Sequence, residues 1–196
     1  STAKSAVIYG DFQQALDNQC KNLQDSNVGR EINLKKFESY LDSIDEKLTS
    51  RQLEICKNYA YLKKEKYSNE EEIIELLSSH NYEIKFGLFP KKDIDTTICT
   101  DLLLESIFSQ VVILCSGDGD FYPPIEKLIK MGKEIYIIST EKAINPIFRK
   151  IVPNNHFILL HDCPKCEGQG RHNNSTGEYT VKCWDCKGTG LLEFIF

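Results

Sequence analysis

From residue 6 to about residue 160, short runs of apolar and β-branched residues alternate with longer amphipathic stretches. This alternation is typical of a parallel sheet with helices on both faces. The predicted strands are Ala6 to Gly10, Leu53 to Tyr61, Tyr82 to Leu88, Val111 to Cys115, Glu134 to Ser139 and His156 to Leu160. The pattern therefore predicts an α/β fold built around a parallel sheet.

The stretches between these strands have helical periodicity. In residues 33–48, apolar side chains recur three and four positions apart, as one face of a helix requires. The predicted helices are residues 33–48, 69–79, 95–109, 121–131 and 144–150. Ser68 or Asn69 is expected to cap the second of these helices.

The composition changes near residue 161, where cysteine, glycine, asparagine and lysine replace most of the core-forming residues. A segment of this size and composition buries too little surface to fold without a covalent or metal staple. We therefore predict two units, residues 5–160 and residues 161–196. The apolar tail, residues 191–196, is expected to pack on the sheet or on a second subunit, which would make a homodimer.

The second unit contains two CxxC pairs, Cys163 with Cys166 and Cys183 with Cys186, separated by sixteen residues. Two such turns can close a tetrahedral shell of four thiolates around zinc. The glycine two places after each second cysteine allows a positive φ, so that backbone N–H groups approach the sulfur atoms. The alternatives are a pair of disulfides or a redox motif.

These pairs resemble the CxxCxGxG repeats of the DnaJ-type cysteine-rich domain, and two repeats imply one structural Zn²⁺. The resemblance also implies a β-hairpin, Arg171 to Thr180, that presents a surface to nucleic acid or to a protein partner. His172 is expected on the surface of this hairpin, because four thiolates already fill the zinc shell.

Aspartates follow two of the predicted strands. Asp11 ends the first strand, and Asp118 and Asp120 follow the fourth. Because the carboxyl ends of parallel strands meet at one edge of a sheet, these carboxylates are expected to converge. Asp95 and Asp101 belong to the helix at residues 95–109, about 9 Å apart along its axis. Clustered carboxylates suit hard divalent cations such as Mg²⁺, although each aspartate could instead cap a helix or shape a turn.

The segment from Asp11 to Gln14, the spacing of Lys92, Asp95, Ile98 and Asp101, and the run from Ser116 to Phe121 resemble the NYN domain of the PIN-like nuclease superfamily. The resemblance implies a Rossmann-like three-layer α/β/α sandwich and a ribonuclease that depends on Mg²⁺ or Mn²⁺. It places Asp11, Asp95, Asp101, Asp118 and Asp120 in the catalytic site, and all of these except Asp101 as ligands of the metal. Gln14 stands where the family usually has asparagine.

The predicted partner is RNA, or single-stranded DNA. Its predicted contacts are Gln14, Lys63, Lys64, Lys92 and Ser116. Tyrosines lie among the lysines, and bases of the nucleic acid can stack on their rings. The net charge of −5 gives the whole molecule no general attraction for nucleic acid, so the bound cation would supply the positive charge. No apolar run is long enough to span a bilayer and no secretory signal is evident, so a cytoplasmic location is expected.

Two other functions remain open. The chain could be a non-catalytic regulator that uses the same fold to bind RNA or protein. Alternatively, the cysteine unit could bind proteins in the manner of a chaperone.

Overall fold

The structure is a computed structural model, and it describes residues 2–17, 30–87, 94–168, 170–173, 176 and 180–193. The strands are β1 (Lys4–Asp11), β2 (Leu53–Leu62), β3 (Tyr82–Phe86), β4 (Val111–Cys115), β5 (Glu134–Thr140), β6 (Phe157–Asp162), β7 (Arg171–Asn173), β8 (Thr180–Lys182) and β9 (Leu191–Glu193). The α-helices are α1 (Gln13–Asp17), α2 (Leu34–Thr49), α3 (Glu70–Ser79), α4 (Ile94–Leu104) and α5 (Tyr122–Lys130).

A seven-stranded sheet forms the centre of the fold, in the order β3-β2-β1-β4-β5-β6-β9. The first six of these strands in chain order pair in parallel, and β9 pairs antiparallel with β6. The chain builds outwards from β1 on one side and from β4 on the other. The carboxyl ends of β1 and β4 therefore flank the crevice where open α/β sheets form their sites.

Two apolar cores lie on opposite faces of this sheet. Alternate residues of each strand enter different cores, as Ile8 and Tyr9 of β1 do. One core is completed by α2 and α3, and the other by α4 and α5. These layers confirm the predicted three-layer α/β/α architecture with a parallel sheet.

Several local predictions differ from the structure. The strand predicted from Tyr82 to Leu88 ends at Phe86, and Leu88 lies outside the described residues. Helix α4 ends at Leu104 instead of residue 109, because the side chains of Leu104, Ile107 and Phe108 are exposed and have no core to pack against. Residues 146–150 form a 3₁₀-helix. Asn69 precedes α3 but does not cap it, since its buried side chain bonds the backbone N–H and C=O of Ile32 at 3.0 and 2.9 Å.

The cysteine unit is joined directly to the sheet. Its hairpin consists of β7 and β8, and its last strand, β9, extends the central sheet. An ion pair between Arg51 and Glu193 ties β9 to the turn after α2. Residues 191–193 of the predicted tail thus extend the sheet, and residues 194–196 lie outside the described residues.

Among the described residues, no helix has the length and apolar character needed to cross a membrane.

Candidate metal sites

The first carboxylate of the site lies at the crevice between β1 and β4. Asp11 is the last residue of β1, and Ser116 follows β4 directly. The Ser116 hydroxyl donates to Asp11 Oδ2 at 3.1 Å and accepts from the Asp118 backbone N–H at 3.2 Å. Ser116 therefore links the two segments that supply carboxylates.

Three further carboxylates come together beside this link. One oxygen from each of Asp95, Asp118 and Asp120 lies within 4.8 Å of the other two. Asp95 is in the first turn of α4, whereas the other two belong to the turn after β4. Asp118 also shapes that turn, because its Oδ1 accepts from the Asp120 N–H at 2.9 Å. The structural and ligand interpretations of Asp118 are therefore compatible.

The spacing of these oxygens fits a small divalent cation. Octahedral oxygen ligands at about 2.1 Å from Mg²⁺ lie roughly 3 to 4 Å apart, so small side-chain rotations would bring the three oxygens into one shell. The negative charge of the three aspartates affects the nearby thiol of Cys99. Burial and, after it, the charges of Asp95, Asp120 and Asp118 raise the pKa of the Cys99 thiol. This arrangement can hold a small divalent cation.

Asp101 faces different partners. Its Oδ2 accepts from the Tyr61 hydroxyl at 2.8 Å and from Lys85 Nζ at 2.9 Å. Burial lowers the pKa of Lys85, but the hydrogen bond and charge of Asp101 outweigh burial and raise that pKa above its usual value. Lys85 is therefore charged and neutralises Asp101, which does not belong to the group formed by Asp95, Asp118 and Asp120.

The turn that carries Asp118 and Asp120 is fixed by close backbone contacts. A Cβ on Gly117 would lie 2.4 Å from the Ala143 carbonyl oxygen, and one on Gly119 would lie 2.4 Å from Asn145 Nδ2. The Asn145 backbone N–H also donates to the Gly117 carbonyl at 2.8 Å. The loop after β5 thus packs tightly against the turn: a side chain at Gly117 would meet backbone, and one at Gly119 would meet the side chain of Asn145.

Of the predicted substrate contacts in the lysine-rich and glutamine positions, some are described by the structure and others are not. Lys63 and Lys64 are exposed after β2, and Lys64 Nζ lies 5.1 Å from the centre of the Phe86 ring. Gln14 lies within α1, but its side chain is not described, and Lys92 lies outside the described residues.

The four cysteines of the second unit form one buried cluster. Cys163 Sγ lies 3.9 Å from Cys183 Sγ, and Cys166 Sγ lies 3.7 Å from Cys186 Sγ. Four sulfur atoms at about 2.3 Å from a tetrahedral zinc ion would be about 3.8 Å apart. All four thiols are free, so the alternative of two disulfides is not observed. The cluster fits a zinc site, as the sequence predicts.

The two repeats pack as near copies of each other. The Cys163 N–H donates to the Gly190 carbonyl and the Cys183 N–H to the Gly170 carbonyl, both at 2.8 Å. The N–H groups of Gly170 and Gly190 donate to the sulfur atoms of Cys166 and Cys186 at 3.1 and 3.2 Å. These hydrogen bonds stabilise thiolates, the form that binds metal.

The predicted positive φ at Gly168 and Gly188 is confirmed, at +76° and +84°. The bonds to sulfur come from the glycines two places further along. The backbone N–H of Cys186 is the main cause that lowers the pKa of the Cys183 thiol to about 6, which also favours a thiolate. His172 is exposed on β7, as expected.

Sequence reasoning missed the partners of Asp101. Lys85 is one lysine in a short strand, and Tyr61 lies in the apolar, buried part of β2. Neither carries a local signal that pairs it with a residue of α4. Only tertiary packing, with α4 over β1 and β2, brings the three together.

Comparisons with known proteins agree with this architecture. A crystal structure of a protein of unknown function from Vibrio parahaemolyticus is similar at a TM-score of 0.61 and 17% identity, over 81% of this chain and 94% of that chain. No curated protein matches the chain. The family model of the NYN domain matches residues 21–160, a range that contains Asp95, Asp101, Asp118 and Asp120 and begins after Asp11. The match spans more than half of the sequence, and the chain therefore belongs to the NYN domain family, within the PIN-like nuclease superfamily.

Proposed function

We propose that the protein is a ribonuclease that hydrolyses phosphodiester bonds of RNA with Mg²⁺ or Mn²⁺ held at the carboxyl edge of the sheet. The observation that carries the proposal is the approach of Asp95, Asp118 and Asp120 to within 4.8 Å of one another. Membership of the NYN family supports a nuclease. Endonucleolytic cleavage is part of the proposal.

Each residue has a distinct role in this account. Asp95, Asp118 and Asp120 hold the cation, and Asp11 completes the site from the end of β1. When bound, the cation would activate water and neutralise charge on the phosphodiester. Ser116 orients both sides of the site, because its hydroxyl donates to Asp11 and accepts from the backbone of Asp118.

Other residues would guide the strand. Lys63 and Lys64 are exposed beyond the end of β2, and they would contact phosphates of the substrate on the side of β1 away from β4. We assign Gln14 and Lys92 to the same task. Asp101 would act indirectly, since Lys85 and Tyr61 already occupy its carboxylate.

We also propose that the four cysteines hold one structural Zn²⁺. The zinc would be a staple for the segment after β6, whose own apolar core contains little besides the four thiols and Leu192. A metal analysis of freshly reduced protein should give about one zinc per chain, since four thiolates complete one shell. Its absence would contradict this assignment.

A nuclease assay tests the main proposal. Wild-type protein should cleave a single-stranded RNA in Mg²⁺ or Mn²⁺ and not in EDTA. Asp118→Asn should lose on the order of 100-fold in rate, because cation binding contributes several kcal/mol. The amide oxygen of asparagine can still accept from the Asp120 N–H, so the turn should persist. The matched control is Glu83→Gln, which removes an exposed carboxylate from β3 and should leave the rate unchanged. Equal rates for wild type and Asp118→Asn would refute the proposal.

One observation favours a second candidate, a non-catalytic regulator that binds RNA. The ion pair of Lys85 with Asp101 neutralises one of the five predicted catalytic carboxylates. RNA binding that survives EDTA and Asp118→Asn, with no cleavage by the wild type in either metal, would support the regulator over the nuclease.

A further inference from the structure

A cavity of about 630 Å³ lies between the carboxyl edge of the sheet and the cysteine unit. The ends of β4, β5 and β6 lie at its floor, and its accessible apolar surface comes from the partly exposed Ala15, Tyr40 and Leu191. Helix α2 forms one wall. The volume lies within the range of pockets that hold small organic ligands, and it is too small for a nucleic acid duplex.

The cavity shares two residues with the proposed nuclease site. Asp11 and Ser116 both line it, whereas Asp95, Asp118 and Asp120 do not. Since Ser116 Oγ also accepts from the backbone N–H of Asp118, one hydroxyl connects the cavity to the carboxylate cluster. A molecule that reached the cluster with one end could place its next segment in the cavity.

The polar groups around the cavity suit a nucleotide. Lys36 of α2 and Lys142 after β5 supply ammonium groups, and Tyr40, Ser139 and Thr140 supply hydroxyls. A base can lie against Tyr40 and Leu191, the ribose hydroxyls can bond side-chain hydroxyls, and the lysines can contact phosphate. Glu141 and Asp162 also line the cavity. Their negative charges disfavour a ligand with several phosphates and agree better with a single nucleotide unit.

The cysteine unit supplies another wall of the cavity, beside α2. His161, Asp162, Gly168, Thr189 and Leu191 line the cavity. All five lie after residue 160, where the match to the NYN family ends. Gly168 and Thr189 come from the two CxxCxGxG repeats, so a folded cysteine unit is needed to close the cavity.

We propose that this cavity binds one unpaired nucleotide of a single-stranded RNA, adjacent to the phosphodiester at the carboxylate cluster. The inference rests on the proposed function and deepens it, because it restricts the substrate to RNA that is single-stranded at the cleavage site. The cysteine unit is then a wall of the substrate site.

Binding can be measured apart from cleavage by placing every variant in the Asp118→Asn background and following the anisotropy of a fluorescein-labelled single-stranded RNA. Lys36 lines the cavity, whereas its exposed neighbour Lys35 on the same helix does not. Lys36→Glu should weaken RNA binding about tenfold and reduce its salt dependence. Lys35→Glu makes the same change in charge and should alter the RNA affinity by less than about twofold. A duplex of the same sequence should bind more weakly than the single strand. Equal effects of the two substitutions, or tighter binding of the duplex, would overturn the inference.

A positional measurement keeps the inference testable if a variant folds poorly. RNA containing 4-thiouridine should photo-crosslink, in the same Asp118→Asn protein, to peptides that carry Tyr40 or residues 139–142. Crosslinks confined to other peptides would contradict the assignment. If wild-type protein cleaves RNA but crosslinks elsewhere, the cavity inference fails alone. If the crosslinks fall in the cavity but no metal supports cleavage, the nuclease proposal fails alone.

Discussion

Gly190→Ala should disrupt the cysteine unit through a backbone clash. A Cβ at Gly190 would lie 2.3 Å from the carbonyl oxygen of Gly168 and 2.9 Å from its carbonyl carbon. Both contacts are with backbone, so the two repeats would have to move apart by about 1 Å to reach ordinary contact distances. Because φ is +78° at Gly190, alanine would also be strained there by roughly 1 to 2 kcal/mol. The displaced N–H would lose its 3.2 Å hydrogen bond to Cys186 Sγ.

Gly132→Ala is the matched control. Gly132 has a φ of +85°, and an added Cβ there would meet nothing within 4 Å. Both variants share the conformational strain, so their difference isolates the clash, which we expect to cost about 1 to 3 kcal/mol. The assay is transfer of zinc to a chromogenic chelator, combined with urea unfolding. Gly190→Ala should weaken zinc binding by at least about tenfold, and Gly132→Ala should leave it unchanged. Equal zinc retention and equal unfolding free energies in the two variants would refute this reasoning.

Three further predictions concern stability and the shape of the site. Burial lowers the pKa of His80, but its 2.9 Å hydrogen bond to Asp42 and the charge of Asp42 raise it above the usual value. The pair of His80 with Asp42 therefore stabilises the fold below about pH 6.5, and this contribution is lost as the pH rises through the folded-state pKa of His80. Asp42→Asn should accordingly lower the unfolding free energy by about 0.5 kcal/mol near pH 6 and by less at high pH. A cost that does not change with pH would contradict this. Arg51→Met should lower the unfolding free energy by about 1 to 2 kcal/mol in urea and speed hydrogen exchange of the β9 amides, because Arg51 forms an ion pair with Glu193 of β9. Unchanged hydrogen exchange would contradict this role of Arg51. Gly117→Ala should slow RNA cleavage at least about tenfold, because its Cβ would lie 2.4 Å from a backbone carbonyl and displace the carboxylate turn; an unaltered rate would show that the turn tolerates the shift.

The layered fold could be predicted because parallel strands that are buried on both faces appear in the sequence as continuous apolar runs. The run Val111–Cys115, predicted as a strand, is buried throughout and pairs with β1. The end of α4 could not be predicted in the same way. Its apolar pattern continues past Leu104, but the sheet offers no surface for Ile107 and Phe108, and only tertiary packing decides where the helix stops.

The candidate sites divide along the same line. The CxxC spacing brings sulfur atoms together through local turns, so the cysteine cluster is readable from the sequence. The common edge of a parallel sheet brings Asp11 close to the turn of Asp118, which Ser116 links to it, whereas Asp95 is expected there only from the family resemblance. The pairing of Asp101 with Lys85 depends on how α4 lies on the sheet, and the cavity beside Asp11 depends on where β9 joins the sheet. Neither relation has a signature in local sequence.

The most direct test of the central claim is a crystal structure of the protein grown with Mn²⁺, measured for anomalous scattering. The account predicts a manganese peak among the carboxylates of Asp95, Asp118 and Asp120, and a separate zinc peak among the four cysteines. Crystals that hold zinc at the cysteines but show no manganese among the three aspartates would contradict a cation-dependent nuclease site.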